Sequence, residues 1–307
     1  MSAIVVDQLT KQFGDFAAVD GVSFDVPDGQ LVAVLGPNGA GKTTTLEMLE
    51  GFLTPTSGTV RVLGTDPHRG DRRWRVRIGL VLQSTSLDAE ITVRDTLHAF
   101  AALYPTPRRV GEVLELVDLV DDADTRVGAL SGGQRRRVDV AIGIIGRPDV
   151  LFLDEPTTGL DPEARRRAWT AVKNLTTTGT TVVLTTHYID EAEHLATRLI
   201  LLAAGRIVAD TTPERLRAQG GPATIHYRFD DGAMLADLPA TLSGHLDRDG
   251  RSLVIHAEDI ARPLRDLLGW ADLHHLDLAG LEVGPPSLED AYLAAIGEPL
   301  TPAGAPS

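Results

Sequence analysis

Several short runs along the chain are apolar at every position rather than at alternate ones. Leu31-Val32-Ala33-Val34-Leu35 and Val150-Leu151-Phe152-Leu153 have this character, and Thr181 to Thr186 and the run over 198–203 come close to it. Runs of that length fit strands buried on both faces, as in a parallel sheet covered by helices. Residues 1–30 and 56–82 read instead as short alternating strands with Asp28-Gly29 and Ser57-Gly58 as turn signals, which predicts a small antiparallel sheet. Helical spacing replaces both patterns over Thr43 to Phe52, Val93 to Leu103 and Val110 to Val120, the last two separated by Pro105 and Pro107.

Further along, Leu199 to Ala209 predicts a hairpin turning at Ala204-Gly205, and Thr212-Pro213 starts one more helix as a cap followed by proline. Gly220-Gly221-Pro222 is the best domain boundary. Beyond it Ile225, Tyr227 and Phe229 alternate, as do Leu253 and Ile255, whereas Ile260 to Leu268 and Leu288 to Ile296 are helical in spacing. The expected organisation is an α/β domain over 1–219 with a helical insert over about 88–140. A small α+β domain over 223–297 follows, and then a disordered tail, 298–307.

The first apolar run leads directly into Gly36-Pro37-Asn38-Gly39-Ala40-Gly41-Lys42-Thr43, with Thr44 next, which fits the phosphate-loop pattern G-x-x-x-x-G-K-[ST]. Strand, glycine loop and helix stand in the order the motif requires. Glycines at 36, 39 and 41 admit backbone geometry and close approach that a side chain would block. Successive N–H groups then point at a nucleotide's β-phosphate, helped by the positive start of the helix. Lys42 reaches the β and γ oxygens, and the Thr43 hydroxyl is a ligand for Mg²⁺.

The run Val150 to Leu153 ends in Asp154 and Glu155. A carboxylate at the carboxyl end of such a strand sits beside the phosphate loop in doubly wound folds, where it can hold Mg²⁺ through water. Glu155, one residue on, is placed to polarise an attacking water. Gln83 and His187 also end apolar runs, and the Gln83 amide oxygen could reach the metal or the water. Alone, Gln83 reads as a solvated strand end and His187 as a packed or exposed bystander. Asp161 alone reads as loop, and Phe13 either stacks on adenine or fills the first hairpin's core. Order and spacing relative to the strong motifs raise all four.

Between phosphate loop and acidic strand lies Leu130-Ser131-Gly132-Gly133-Gln134, a Ser-Gly-Gly turn opening a helix and hence a second phosphate-binding surface. With GPNGAGKTTT at 36–45, VLQ ending at Gln83, LSGGQRRR at 130–137, LFLDEPTTGLD at 151–161 and TTHYIDEAE at 185–193, the chain resembles the ATP-binding subunit of an ABC transporter over about residues 4–215. Shorter strings, including PSLEDAYLAAIG at 286–297, look most like the branch of daunorubicin-resistance-type subunits that serve exporter permeases. The resemblance implies a P-loop NTPase fold of ABC type, in which two copies close face to face. Each ATP would lie between one copy's loop and the other's Ser131 and Gly133. It implies Glu155 as general base, His187 as γ-phosphate contact, Asp161 as communicator across the pair and Phe13 as the adenine-stacking aromatic. It also implies a membrane permease as partner, with Ser84 to Thr96 and Trp74 as candidate contacts; for Trp74 a partly buried place in the sheet is the equal alternative.

Composition narrows the field. A net charge of −14 argues against a phosphate-neutralising nucleic-acid surface, which needs clustered Lys and Arg. The runs Arg72-Arg73, Arg135-Arg136-Arg137 and Arg165-Arg166-Arg167 are short and expected on solvated helix faces. There is no cysteine, which removes disulfides and thiolate metal sites. His256, His274, His275 and Asp277 fit no standard ligand spacing. No apolar run approaches the roughly 20 residues a membrane helix needs, and the first residues do not read as a signal peptide. The expectation is a Mg-dependent ATPase, peripheral on the cytoplasmic side of the membrane. The alternative is an ABC-type ATPase acting on nucleic acid or ribosomes.

Overall fold

In the computed structural model, residues 2–82, 87–177, 179–219, 223–229, 238–243, 246, 252–257, 260–274, 276–284 and 287–297 are described. They divide into two compact units, Met1–Thr212 and Pro213–Ser307. The first opens with β1 (Ser2–Phe13), β2 (Phe16–Pro27), β3 (Leu31–Leu35), α1 (Lys42–Glu50) and β4 (Ser57–Val62). Next come α2 (Arg72–Arg75), β5 (Ile78–Val81), α3 (Val93–Ala101), α4 (Val110–Leu116), α5 (Gly132–Ile145) and β6 (Val150–Asp154). It closes with α6 (Pro162–Thr177), β7 (Thr181–Thr186), α7 (Ile189–Leu195), β8 (Arg198–Ala203) and β9 (Arg206–Thr211).

The fully apolar strands assemble as their pattern demands. The sheet order is β5-β6-β7-β3-β8-β9, parallel throughout except for the β8–β9 hairpin. Register sets the functional edge. Leu35 pairs with Thr186, and Asp154 with Thr185. The residues that follow each strand, Gly36, His187 and Glu155, therefore leave the sheet at one carboxyl end, where doubly wound sheets bind ligands. The hairpin turns at Ala204 (φ 47°) and Gly205 (φ 77°) as expected.

The antiparallel sheet is β2-β1-β4. Two expectations are corrected here. The run over 78–81 does not join this sheet: β5 pairs in parallel with β6, because it is apolar on both faces. Ser57-Gly58 is not a turn but the start of β4, where Gly58 (φ 82°) passes so close to β1 that a Cβ would lie 2.1 Å from the Gln8 carbonyl. Trp74 is buried in the core shared by this sheet and α1, and its Nε1 donates to the Val62 carbonyl at 2.9 Å. It is a packing residue, not a contact surface.

The helices α3 and α4 follow β5 and pack on α5, which itself packs on β5 and α6. In the second unit, α8 (Pro213–Gln219) packs against α11 (Leu288–Ile296), so this helix groups with the C-terminal unit rather than with the domain expected to run to 219. Between them lie β10 (Ala223–Arg228), α9 (Ala240–Ser243), β11 (Ser252–Ala257), α10 (Ala261–Leu273) and β12 (Glu282–Gly284). The sheet order is β11-β10-β12. Its buried face carries the alternating Ile225, Tyr227, Leu253 and Ile255 against Leu267 and Trp270, with Phe229 edge-on to both Tyr227 and Trp270. The boundary glycines 220–221 and the tail 298–307 lie outside the described residues.

Candidate functional site

The loop after β3 is built by exclusion. A Cβ on Gly36 would stand 2.3 Å from the Leu202 carbonyl, and one on Gly41 (φ 98°) 2.4 Å from the Ala18 carbonyl. The loop therefore threads between β8 and β2 where only glycine passes. Pro37, Asn38 and Gly39 (φ 80°) turn it outward, Ala40 is buried, and α1 starts at Lys42 with Thr43 exposed and Thr44 half-buried behind it. The first amides of α1 are thus directed at the loop's hollow, the geometry that binds phosphate.

Lys42 is 5% exposed, and its Nζ donates to the Gly36 carbonyl at 2.8 Å and the Pro37 carbonyl at 3.2 Å. Burial pushes the ammonium's pKa down, while the Glu155 and Asp154 carboxylates act in the opposite direction. Thr43 Oγ1 lies 3.5 Å from Asp154 Oδ1, which also accepts from the Thr185 hydroxyl. A hydroxyl and a carboxylate oxygen from different elements thus stand side by side at the loop's end, hard donors of the kind that suit Mg²⁺.

Glu155 has φ 45°, unusual for a residue with a side chain, and its N–H donates to both the Thr185 carbonyl and hydroxyl at 3.1 Å. Its Oε1 stands 3.1 Å from His187 Nδ1 and 3.8 Å from Lys42 Nζ, and Oε2 accepts from Thr158 Oγ1 at 3.2 Å. The structure thus brings Lys42, Thr43, Asp154, Glu155 and His187 into one cluster.

Ser131 and Gln134 are elsewhere engaged. The Ser131 hydroxyl caps α5 by accepting from Gln134 N, while Gln134 Oε1 accepts from Ser131 N and its Nε2 donates to Asp122. This reciprocal box leaves Ser131 and Gly132 exposed at the helix start, with Gly133 closer in against Ala164. Asp161 is exposed and caps α6, accepting from Ala164 N and Glu163 N, bonds that hold its carboxyl below the usual range. Phe13 is 52% exposed at the end of β1, with Lys11 Nζ 5.1 Å from its ring centre. Gln83 lies outside the described residues.

This geometry has close counterparts. The ABC transporter family profile matches residues 19–158, and the profile of the ABC transporter domain-containing protein-like C-terminal domain matches residues 223–287. The Nod factor export ATP-binding protein I of Ralstonia nicotianae is 38% identical over 301 residues, covering 96% of this chain and 94% of that protein. The daunorubicin/doxorubicin resistance ATP-binding protein DrrA of Streptomyces peucetius is 38% identical over 308 residues, 97% of this chain and 93% of that protein. The chain belongs to the ABC transporter ATP-binding proteins. Among solved structures, an ATP-binding subunit of an ABC transporter superposes with a TM-score of 0.64 at 26% identity, over 71% of this chain and 93% of its own. A dimeric ATP-binding cassette in a post-hydrolysis state bound to ADP and phosphate superposes with a TM-score of 0.60 at 26% identity, over 68% of this chain and 98% of its own.

The chain is thus an ABC ATPase, the nucleotide-hydrolysing subunit of a transporter. Three of its notable residues escaped sequence reasoning. Arg136 and Arg137, expected on a solvated face, are buried, and Arg137 pairs with Asp118 at 2.8 Å. Glu50, the last residue of α1, is 7% exposed, its Oε1 has no hydrogen-bond partner among the described residues, and burial raises its pKa to about 8. Helical periodicity carries the signal for the arginines, since 136 and 137 stand on the same side as Val140 and Ile144; their charge masked it.

Proposed function

We propose that two copies of this ABC ATPase sandwich two Mg-ATP and drive a separate membrane permease that exports a drug, lipid or secreted metabolite. The observation that carries this reading is the cluster itself: a lysine, a hydroxyl, two carboxylates and a histidine at one carboxyl edge of the sheet, beneath a glycine loop. Phosphoryl transfer asks a protein for positioning and charge rather than covalent chemistry.

Gly36 to Thr44 cradles the phosphates, and Lys42 exchanges its two carbonyl contacts for β and γ oxygens. Thr43 and Asp154, with Gln83, hold Mg²⁺, which when bound neutralises charge on those oxygens. Glu155 takes a proton from the attacking water, and His187, hydrogen-bonded to the same carboxylate, contacts the γ-phosphate. Phe13 stacks on adenine. Ser131, Gly132, Gly133 and Gln134 present the start of α5 to the partner copy's nucleotide, and Asp161 lies where the copies meet.

Among the described residues no helix is long and apolar enough to cross a membrane. In this reading the permease is a separate membrane protein, and this chain works peripherally on the membrane's cytoplasmic side. Relatives aligned along nearly their whole length serve Nod factor export and daunorubicin resistance, which supports export and disfavours the nucleic-acid alternative. The test is a pull-down from native membranes in mild detergent, assaying ATPase activity of what co-purifies. A stoichiometric multi-spanning protein that alters the rate is expected; a ribosomal or other soluble partner with no membrane protein would overturn the reading.

A further inference from the structure

Arg136 is 8% exposed, and its guanidinium is spent almost entirely on main-chain carbonyls. Nε donates to Pro156 O at 2.8 Å, Nη2 to Asp154 O at 2.9 Å and Glu155 O at 3.3 Å, and Nη1 to Leu82 O. Its carboxylate partner, Asp139, stands farther off at 3.6 Å, one helical turn along α5. Burying a charge this way costs free energy that an apolar residue of similar size would avoid. What the charge provides is a rigid planar fork able to bind several acceptors at once.

The acceptors are not scattered. Three are consecutive carbonyls of the turn that carries the metal-binding and catalytic carboxylates; the fourth belongs to the residue before Gln83. That turn holds Glu155 at φ 45°, a conformation costing about 1–2 kcal/mol for a residue with a Cβ. Such strain persists only where surrounding bonds over-determine it. On one side Thr185 accepts the Glu155 N–H; on the other Arg136 donates to its carbonyl.

We propose that Arg136 is a positioning residue that locks the Asp154–Pro156 turn, and with it the Glu155 carboxylate, to the helix α5 that the Ser131-Gly132-Gly133 turn opens. A shift of α5 on engaging the partner copy's nucleotide is then passed to the catalytic base of its own copy. This rests on the reading of Glu155 as base and of the α5 start as the cross-dimer phosphate surface.

The experiment uses the full chain with Mg-ATP and three variants: Arg136→Lys, Glu155→Gln and the two combined. Lysine keeps the charge but not the fork. Arg136→Lys is expected to lower kcat about 100-fold, the scale of a displaced catalytic group, with KM for ATP little changed. In single-turnover assays it is expected to add nothing to Glu155→Gln, because both act through one carboxylate. Near-normal kcat, a loss that multiplies with Glu155→Gln, or nucleotide binding lost in parallel would each overturn the proposal. If the lysine variant does not fold, Arg136→Gln, whose amide can donate to two carbonyls, carries the same comparison. Normal hydrolysis by Glu155→Gln would instead overturn the underlying assignment of the base.

Discussion

Replacing Glu50 by glutamine should stabilise this ABC ATPase at alkaline pH and leave it unchanged near pH 4. Glu50 closes α1 inside the core, 7% exposed, with one carboxyl oxygen that has no hydrogen-bond partner among the described residues. Burial raises its pKa from 4.5 to about 8, reinforced by the Asp154 and Glu47 carboxylates. The unfolded chain releases this proton near pH 4.5 and the folded chain only near 8. Between those values the folded state binds more protons, so stability must fall as pH rises. Each pH unit in that window is worth up to about 1.4 kcal/mol, so the loss between pH 5 and 8 is on the order of 3 kcal/mol. Glutamine is near-isosteric and does not titrate. Urea unfolding from pH 5 to 9, with EDTA and without nucleotide, measures the difference. A Trp270→Phe background leaves Trp74 and Trp169 of the first unit as the fluorescent reporters. The variant's advantage should open above pH 5 and level off above 8. Parallel pH profiles for the two proteins would refute the reasoning.

Two further outcomes bear on the nucleotide loop. Gly41→Ala forces a Cβ to 2.4 Å from the Ala18 carbonyl at a φ of 98°, so nucleotide binding should be lost and urea stability should drop by about 2 kcal/mol or more, the left-handed penalty plus the clash. Phe13→Ala should weaken ATP binding about tenfold through lost stacking, worth about 1–3 kcal/mol, while kcat at saturating ATP stays near normal; titration with a fluorescent nucleotide and a saturation curve separate the two effects.

Much of the first unit was legible because its strands are apolar on both faces: the runs at 31–35, 150–154, 181–186 and 198–203 appear as β3, β6, β7 and β8 within those bounds. The short run at 78–81 was assigned to the wrong sheet, since an apolar tetrad shows that a strand is buried but not which neighbour buries it. The helix at 213–219 was visible from its Thr-Pro start, but its packing on α11 is a long-range fact that no local pattern encodes. The loop residues were read from spacing. The burial of Arg136, Arg137 and Glu50 was not, because charge normally reports exposure, and carbonyl acceptors leave no trace in a side-chain sequence.

The central claim is that Glu155 is the base of a nucleotide-sandwich dimer. Its most direct test is to add Mg-ATP to Glu155→Gln and record mass by light scattering during size exclusion, alongside turnover. The expected result is a stable species of two chains retaining unhydrolysed ATP, with turnover collapsed. A chain that stays single with ATP bound, or hydrolyses ATP at the wild-type rate, would contradict it.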